Sequence, residues 1–475
     1  MNFTEIPFLF LFLPIALFLY YICPKKIRIF ILLVISLIFY SIGSGKYFIL
    51  LAISLFVNIL LSMFISKQQK TAKKLLLILG ILYNIGILGY YKYYDFFITN
   101  VNTVLKSNYK LHDLALPLGL SFFTFKSISY LVDVYNGKSD YSIIKTALYL
   151  SFFGQIQSGP LSRYEDMGFS FTNNNASGKE YFNSFSDGVY RFIIGFSKKV
   201  LLANILEHIT SEVFSSNLSN VSTSYLWLGS ICWSLQLYYD FSGYSDMAIG
   251  ISQMFGLRCP ENFNYPYTTK SVSEFWRRWH ITLGAWYRDY IYIPMGGSRA
   301  KNKGRLIFNL FTVWFLTGLW HGANWTFIIW GILYFIIISV EKLFNLPTRF
   351  KSSICRALYR LLTLLFINFQ WVIFRAPTLK YAMSYIKKMI LFTNNTVSNT
   401  RTLFLIKDNF IFIIFAIIFS IPIGDLLKNK IYKSKRSSLY SITDTLTVII
   451  IFLLLILSVS FVVSGMNNPF EYANF

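Results

Sequence analysis

Apolar runs of membrane-spanning length follow one another along the whole chain. The clearest lie at residues 6–23, 29–43, 47–66, 75–91, 410–423 and 446–463. Because a transmembrane helix needs about 20 mostly apolar residues, the pattern predicts an all-α, polytopic membrane protein. No polar stretch between the runs is long enough for a separate soluble domain, so we expect one membrane domain over residues 1–475.

Basic residues lie in short loops between these runs and give a partial topology. They cluster at residues 25–28, 67–74 and 428–436, and short loops rich in Lys and Arg face the cytoplasm. The first run therefore starts outside the cytoplasm, and it lacks the preceding basic residues of a cleaved signal peptide. The last run leads outward, which predicts an extracytoplasmic tail at 464–475 and both termini on the outer face.

The composition disfavours a soluble protein and a nucleic-acid partner. Only 14% of the residues are charged, against about a quarter in soluble domains. The net charge of +23 comes from 44 Lys and Arg against 21 Asp and Glu. We attribute this excess to cytoplasmic loops, some of which could also receive a polyanionic donor such as coenzyme A. The cysteines and histidines show neither disulfide nor metal-ligand spacing, so we expect no metal.

Parts of the middle region are unsuited to a regular membrane helix. Residues 114–134 and 143–156 are interrupted by Pro and Gly, and non-helical backbone at membrane depth needs cover from protein or a water-filled cavity. This favours an internal chamber, with ordinary kinked helices as the alternative. Residues 271–299 are too polar to span, yet rich in Trp and Tyr, and Ser271 and Glu274 have capping-box spacing. We expect interfacial or re-entrant helices there.

His321 lies between two apolar runs and is the strongest candidate for chemistry. Ionisable side chains at membrane depth are rare and usually functional. Burial favours the neutral imidazole, which can take a proton from a hydroxyl as a general base. The flanking Gly318 and Gly322 would let a substrate approach. A histidine that is merely hydrogen-bonded to a neighbouring helix is the alternative.

Other polar residues are weaker candidates. His280 follows Arg277 and Arg278, so it is either an interfacial anchor or a residue that orients an acyl donor or stabilises charge on the reacting carbonyl. Arginine pairs well with phosphate oxygens, which makes Arg277 and Arg278 donor-binding candidates. Asp240 and Asp246 lie within an apolar segment, and we predict that they are structural partners of arginines.

The chain contains several long motifs: YDFSGYSD at 239–246, FWRRWH through IPMGG across 275–297, GLWHG at 318–322, and shorter ones at 116–135, 157–160 and 371–376. These motifs resemble the membrane-bound O-acyltransferases, most closely the bacterial branch that acetylates alginate, peptidoglycan and other exopolysaccharides. The resemblance implies a ring of roughly 10–13 membrane helices, with re-entrant or interfacial helices around a central tunnel. It also implies that His321 is the catalytic histidine, that His280 is a second catalytic position, and that Trp320 is a donor-binding candidate.

The resemblance further implies a function in the cell envelope. We expect an enzyme of the bacterial cytoplasmic membrane that uses acetyl-CoA, without a permanently bound cofactor, for O-acetylation of peptidoglycan or an alginate-like polysaccharide. An extracytoplasmic SGNH-type acetyltransferase would be its partner, besides the polysaccharide and the membrane lipids. Tyr472 in the tail is similar to a transient acyl acceptor of related D-alanylation systems, and an interfacial aromatic is the alternative.

Three other functions stay open at this point. The D-alanyl transferases of teichoic acid synthesis resemble the same motifs and use a carrier protein, although IPMGGSR at 293–299 favours the acetylating branch. A secondary transporter would use the buried polar groups as a solute or proton path, but we find no inverted repeat of the kind that transporters often have. The third is a catalytically idle scaffold for the outer acetyltransferase.

Overall fold

All regular secondary structure among the residues that the structure describes is helical. The computed structural model covers residues 1–168, 178–299, 302–391, 396–424, 426 and 437–465, with 437–442 as backbone only. No β-strand occurs within these ranges, so the all-α prediction is confirmed. Tyr472 lies outside the described residues, and its role as an acyl acceptor stays a prediction.

The chain forms two compact units, each assembled from separate parts of the sequence. The first consists of Met1–Phe192, Ser245–Glu261 and Ala285–Pro294. The second consists of Ile193–Tyr244, Asn262–Gly284 and the described part of Met295–Phe475. The expected single membrane domain over residues 1–475 stays a prediction.

The first unit contains the N-terminal helices. They are α1 (Leu13–Ile22), α2 (Arg28–Ser44), α3 (Tyr47–Lys67), α4 (Lys70–Leu88), α5 (Tyr94–Leu105), α6 (Leu120–Tyr135), α7 (Ile143–Ser151) and most of α8 (Gly178–Ser197). Two π-helical stretches extend this set, Phe8–Phe12 before α1 and Gly89–Tyr93 between α4 and α5. These boundaries follow the apolar runs, which confirms the helical reading of the N-terminal part.

An irregular, buried segment follows α7, as the interrupted sequence predicts. The helix ends at Ser151, and residues 152–162 continue without helix although they are buried. Lys126 of α6 is buried as well, and its ammonium donates to the Gln155 side chain over 3.0 Å. Gly119 has a φ of 68°, and a β-carbon there would collide with the carbonyl oxygen of Ile156. Residues 152–162 are therefore not an ordinary kinked helix, because protein covers a non-helical backbone.

The second unit contains the remaining helices. They are α9 (Asn204–Ser215), α10 (Thr223–Met254), α11 (Val272–Trp276), α12 (Ile281–Tyr287), α13 (Lys303–His321), α14 (Trp325–Phe344), α15 (Ser353–Arg375), α16 (Leu379–Ile390), α17 (Thr400–Asp408), α18 (Phe410–Phe419) and α19 (Ser437–Val463). Of these, α10 and α12 also contribute residues to the first unit. The π-helical stretch Lys198–Ala203 joins α8 to α9.

The two carboxylates of α10 have different kinds of partner. Asp246 pairs with Arg191 over 2.7 Å, as predicted. Asp240 pairs with Lys199 over 2.5 Å, an ion pair with a lysine that the sequence does not predict. Both members of the second pair are buried, where losing one partner would leave an uncompensated charge. The ammonium of Lys199 comes from the π-helical stretch, whose altered register the apolar pattern does not reveal.

Helices α13 and α14 pack with their backbones in direct contact. A β-carbon added to Gly318 would lie 3.4 Å from the Cα atom of Gly331. A β-carbon added to Gly331 would collide with the carbonyl oxygen of Trp314. Small residues allow such close approach of two helices. The tight contact fixes the C-terminal end of α13, where His321 lies.

Six helices among the described residues are long and apolar enough to cross a membrane. They are Lys25–Ser44, Tyr47–Lys67, Lys70–Leu105, Trp325–Phe344, Ser353–Arg375 and Thr443–Val463. The pair α17 and α18, bent by 67°, makes a seventh if it is one span. The chain is therefore a multi-pass membrane protein, while the larger number of spans and the central tunnel stay predictions.

We predict that Gly331→Ala destabilises the packing of α13 against α14 by about 1–3 kcal/mol, the usual cost of overpacking. The matched control is Gly304→Ala in α13, because its β-carbon would meet nothing closer than 3.5 Å. Thermal unfolding in detergent, followed by tryptophan fluorescence, measures both variants. A melting temperature of Gly331→Ala equal to that of the control would contradict the close contact.

Candidate active site

His321 is enclosed by aromatic rings. It is the last residue of α13, and its side chain is 3% exposed. The ring centroids of Trp320, Trp330 and Phe374 lie 5.0, 5.0 and 5.2 Å from that of His321, each in an edge-to-face arrangement. The histidine is thus held where α13, α14 and α15 meet, in apolar surroundings.

The glycines beside His321 serve packing, which corrects the expectation that they admit a substrate. A β-carbon at Gly318 would lie 2.5 Å from the carbonyl oxygen of Phe327. A β-carbon at Gly322 would collide with the Phe327 ring. The space next to both glycines is therefore filled by α14. Their proximity to the histidine in sequence does not reveal this, because Phe327 belongs to the following helix.

His280 is buried in the turn between α11 and α12. Its side chain is 1% exposed, and its φ of 45° is left-handed, a conformation that costs a non-glycine residue about 1–2 kcal/mol. Its Nδ1 lies 3.1 Å from Oδ1 of Asn262. Burial lowers the pKa of His280 to about 3, so the ring is neutral at physiological pH. A buried ring does not fit the alternative of an interfacial anchor.

Trp320 is the common neighbour of the two histidines. Its ring centroid lies 5.0 Å from that of His321 and 6.0 Å from that of His280. The Trp320 side chain is itself buried. The structure therefore brings together the two predicted catalytic histidines and one predicted donor-binding residue in one cluster, which we call the His280–Trp320–His321 cluster.

An aromatic layer connects the segment that carries His280 to the helices that carry His321. Trp279 lies 4.8 Å from Trp371 of α15, measured between ring centroids. Trp276 lies 5.5 Å from Trp330 of α14, which in turn contacts His321. Large aromatic side chains contribute much of the apolar contact area in a core. The two histidines are thus positioned by one continuous apolar packing.

Two polar side chains fix the start of α11, and the sequence predicts only Ser271, not Glu341. Ser271 caps the helix, since its hydroxyl accepts from the Glu274 N–H over 3.1 Å, which confirms the predicted helix start. The carboxylate of Glu341 accepts from the N–H groups of Val272 and Ser273, each over 2.7 Å. It also accepts from the Tyr359 hydroxyl over 2.7 Å. The only sequence signal for this role is an acidic residue at the end of the apolar run of α14.

The two donor-binding arginines have different surroundings. Arg277 is exposed. Arg278 forms an ion pair with Glu274 at 2.9 Å and donates a hydrogen bond to the Asn264 carbonyl oxygen over 3.3 Å. A role of these arginines in binding a donor's phosphates stays a prediction.

The family model and the named relatives that match this chain all point to acyltransferases. The sequence model of the membrane-bound O-acyltransferase family matches residues 34–386. The chain is 38% identical over 400 residues to a probable alginate O-acetylase of Pseudomonas aeruginosa. This alignment covers 82% of this chain and 75% of the relative. The chain is also 38% identical over 418 residues to a peptidoglycan O-acetyltransferase of Helicobacter pylori, covering 81% and 78%. A teichoic acid D-alanyltransferase of Bacillus subtilis is 29% identical over 250 residues, covering 49% and 61%.

We predict that Glu341→Gln lowers the free energy of unfolding by about 1.5–3 kcal/mol, the range for hydrogen bonds to a charged group. The amide presents an NH₂ group where the carboxylate accepts three hydrogen bonds, so the start of α11 loses an acceptor. Tyr359→Phe is the control, because it removes one of those bonds and leaves both backbone N–H groups bound. Thermal unfolding of the two variants distinguishes them, and equal losses would contradict the capping role of Glu341.

Proposed function

The chain belongs to the membrane-bound O-acyltransferase family, and we propose that it moves acetyl groups from cytoplasmic acetyl-CoA across the membrane for O-acetylation of a cell-envelope polysaccharide. The observation that carries this proposal is the His280–Trp320–His321 cluster, which lies within the matched residues 34–386. Membership of an O-acyltransferase family favours an enzyme over the secondary-transporter alternative.

The cluster supports transfer with His321 as the general base. The hydroxyl proton of the acceptor moves to the neutral imidazole while the hydroxyl oxygen attacks the carbonyl carbon of the thioester. The carbon–sulfur bond then breaks, an oxygen ester forms, and the leaving thiolate takes the proton from the imidazolium as a free thiol. General base catalysis of this kind contributes about 10²–10⁴-fold in rate.

The relatives favour an acetyl donor over a D-alanyl donor. The relatives named for O-acetylation align over about four fifths of the chain at 38% identity. The named D-alanyltransferase aligns over 49% of the chain at 29% identity. We therefore propose acetyl-CoA as a substrate, not a resident cofactor, with Arg277 and Arg278 as candidates for its phosphates.

The topology and the partner complete the proposal. We propose the bacterial cytoplasmic membrane as the location, with both termini on the outer face, because basic loops mark the cytoplasmic side. The acetyl group would pass to an extracytoplasmic SGNH-type acetyltransferase, and from there to peptidoglycan or an alginate-like polymer, the two substrates that the relatives' names contain. Tyr472 is the proposed intermediate acceptor.

We predict that His321→Ala lowers acetyl transfer by at least about 100-fold, the lower range for loss of a general base. The control is His208→Gln, which changes an exposed histidine of the same unit. Membrane vesicles that contain each variant receive radiolabelled acetyl-CoA, and label in the extracted polymer is counted. Unchanged labelling by a folded His321→Ala variant would refute the proposed role. If the polymer were labelled from a D-alanyl carrier protein and not from acetyl-CoA, the donor would be the carrier protein.

We predict that the purified wild-type chain gains an acetyl ester on Tyr472 when it is incubated with acetyl-CoA. Tyr472→Phe lacks the hydroxyl, so neither the ester nor polymer labelling should form. Mass spectrometry of the tail peptide measures the ester. Tyr109→Phe is the control, because Tyr109 is 58% exposed and outside the tail. Persistent turnover by Tyr472→Phe would show that the tail is not an obligatory acceptor.

A further inference from the structure

Asn262 holds His280 from two sides. The Asn262 side chain is fully buried. Its backbone carbonyl oxygen accepts from the N–H of Ile281 over 2.9 Å, directly after the histidine. Its side-chain oxygen lies 3.1 Å from Nδ1 of His280. Main chain and side chain of one residue therefore fix both the backbone and the ring of His280.

A third residue determines which way the Asn262 amide points. The backbone N–H of Thr282 lies 3.3 Å from Oδ1 of Asn262, and the Thr282 hydroxyl donates to the same oxygen over 2.8 Å. A backbone N–H is a donor only, so an NH₂ group cannot occupy this place. The amide orientation thus follows without reference to the histidine.

The amide orientation in turn determines the tautomer of His280. The atom that faces Nδ1 is an acceptor, so Nδ1 carries the hydrogen and donates it. A neutral imidazole has one N–H group, which leaves the lone pair on Nε2. The ring is neutral because burial lowers the pKa of His280 to about 3. The edge-to-face contact with Phe241, at 4.7 Å between ring centroids, holds the ring in this orientation.

We propose that Asn262 is a positioning residue that keeps the hydrogen of His280 on Nδ1, so that Nε2 acts on the acyl donor as a hydrogen-bond acceptor. This inference rests on the proposed function and separates two roles that the sequence leaves open for His280. A neutral ring with hydrogen on Nδ1 has no hydrogen on Nε2 to donate to the oxygen of the reacting carbonyl. It can orient the donor by accepting one of its N–H or O–H groups.

The tautomer can be read directly, without turnover. The full-length chain, labelled with ¹⁵N-histidine and reconstituted in lipid nanodiscs, gives nitrogen chemical shifts that distinguish Nδ1–H from Nε2–H. Comparison with His280→Ala assigns the signals. We expect a neutral ring with hydrogen on Nδ1 in the wild type, and loss of this single state in Asn262→Leu. Hydrogen on Nε2 in the wild type would overturn the inference, even if acetyl transfer is observed.

Kinetics separate positioning from a merely structural role. Asn262→Leu removes the acceptor, and we expect kcat/KM for acetyl-CoA to fall about 10–100-fold, a range taken from residues that orient the histidines of metal sites. Asn262→Asp keeps an acceptor on Nδ1 and should recover much of this loss. Its negative charge raises the pKa of His280, so protonation, and with it the loss of activity, begins at a higher pH than in the wild type.

The pH profile needs a matched control and an account of the neighbouring groups. Phe241, Trp320, Asn262 and Thr282 around His280 carry no charge, and burial is the cause of its lowered pKa. His321, which contacts Trp320, is the same residue in every variant compared. Asn368→Leu is the control, because Asn368 is a buried amide that donates to Ser230 and Ser234. The inference would be contradicted if the acid limb of the pH–activity profile shifted in Asn368→Leu. It would also be contradicted if that limb did not shift in Asn262→Asp.

Discussion

The carboxylate of Glu341 on the backbone of α11 is the interaction on which the placement of His280 depends. A helix as short as Val272–Trp276 does not form on its own, because the conformational entropy lost in forming the first turn exceeds the stabilisation from its hydrogen bond. Glu341 supplies acceptors for two of its first N–H groups, and the following Trp276 and Trp279 pack on α14 and α15. This fixed start and the aromatic packing together set the position of the residues up to His280.

The cost of burying that carboxylate explains why it is so fully bonded. A buried charge is strongly unfavourable unless its hydrogen-bonding capacity is satisfied. Glu341 is 2% exposed and accepts three hydrogen bonds of 2.7 Å, two from backbone groups that would otherwise be unsatisfied at a helix N-terminus. Burial also keeps His280 neutral, because it lowers the pKa of that ring. Desolvation thus makes the hydrogen bonds of Glu341 necessary and, separately, sets the protonation state of the histidine.

The sequence predicts what is local or periodic and misses what depends on distant contacts. The helices follow from apolar runs, the start of α11 from Ser271, and the buried irregular backbone after α7 from its Pro and Gly residues. Asn262 and Glu341 carry no local sign of their roles, because their partners come from other segments. The expectation that Gly318 admits a substrate is wrong because Phe327, from the following helix, fills the space beside it. The ion pair of Asp240 with Lys199 is not predictable, because the apolar pattern does not reveal the π-helical register that presents this lysine.

The aromatic enclosure of the histidines bears directly on the chemistry. Trp320, Trp330 and Phe374 surround His321, and Phe241 and Trp320 flank His280. Apolar rings exclude water, and in such surroundings each remaining hydrogen bond to an imidazole is electrostatically stronger. In the proposed reaction, the exclusion of water would also protect a thioester from hydrolysis, so that the acyl group reaches a hydroxyl acceptor instead. The same aromatic packing therefore serves two requirements of the proposed transfer, an enclosed imidazole and the exclusion of water.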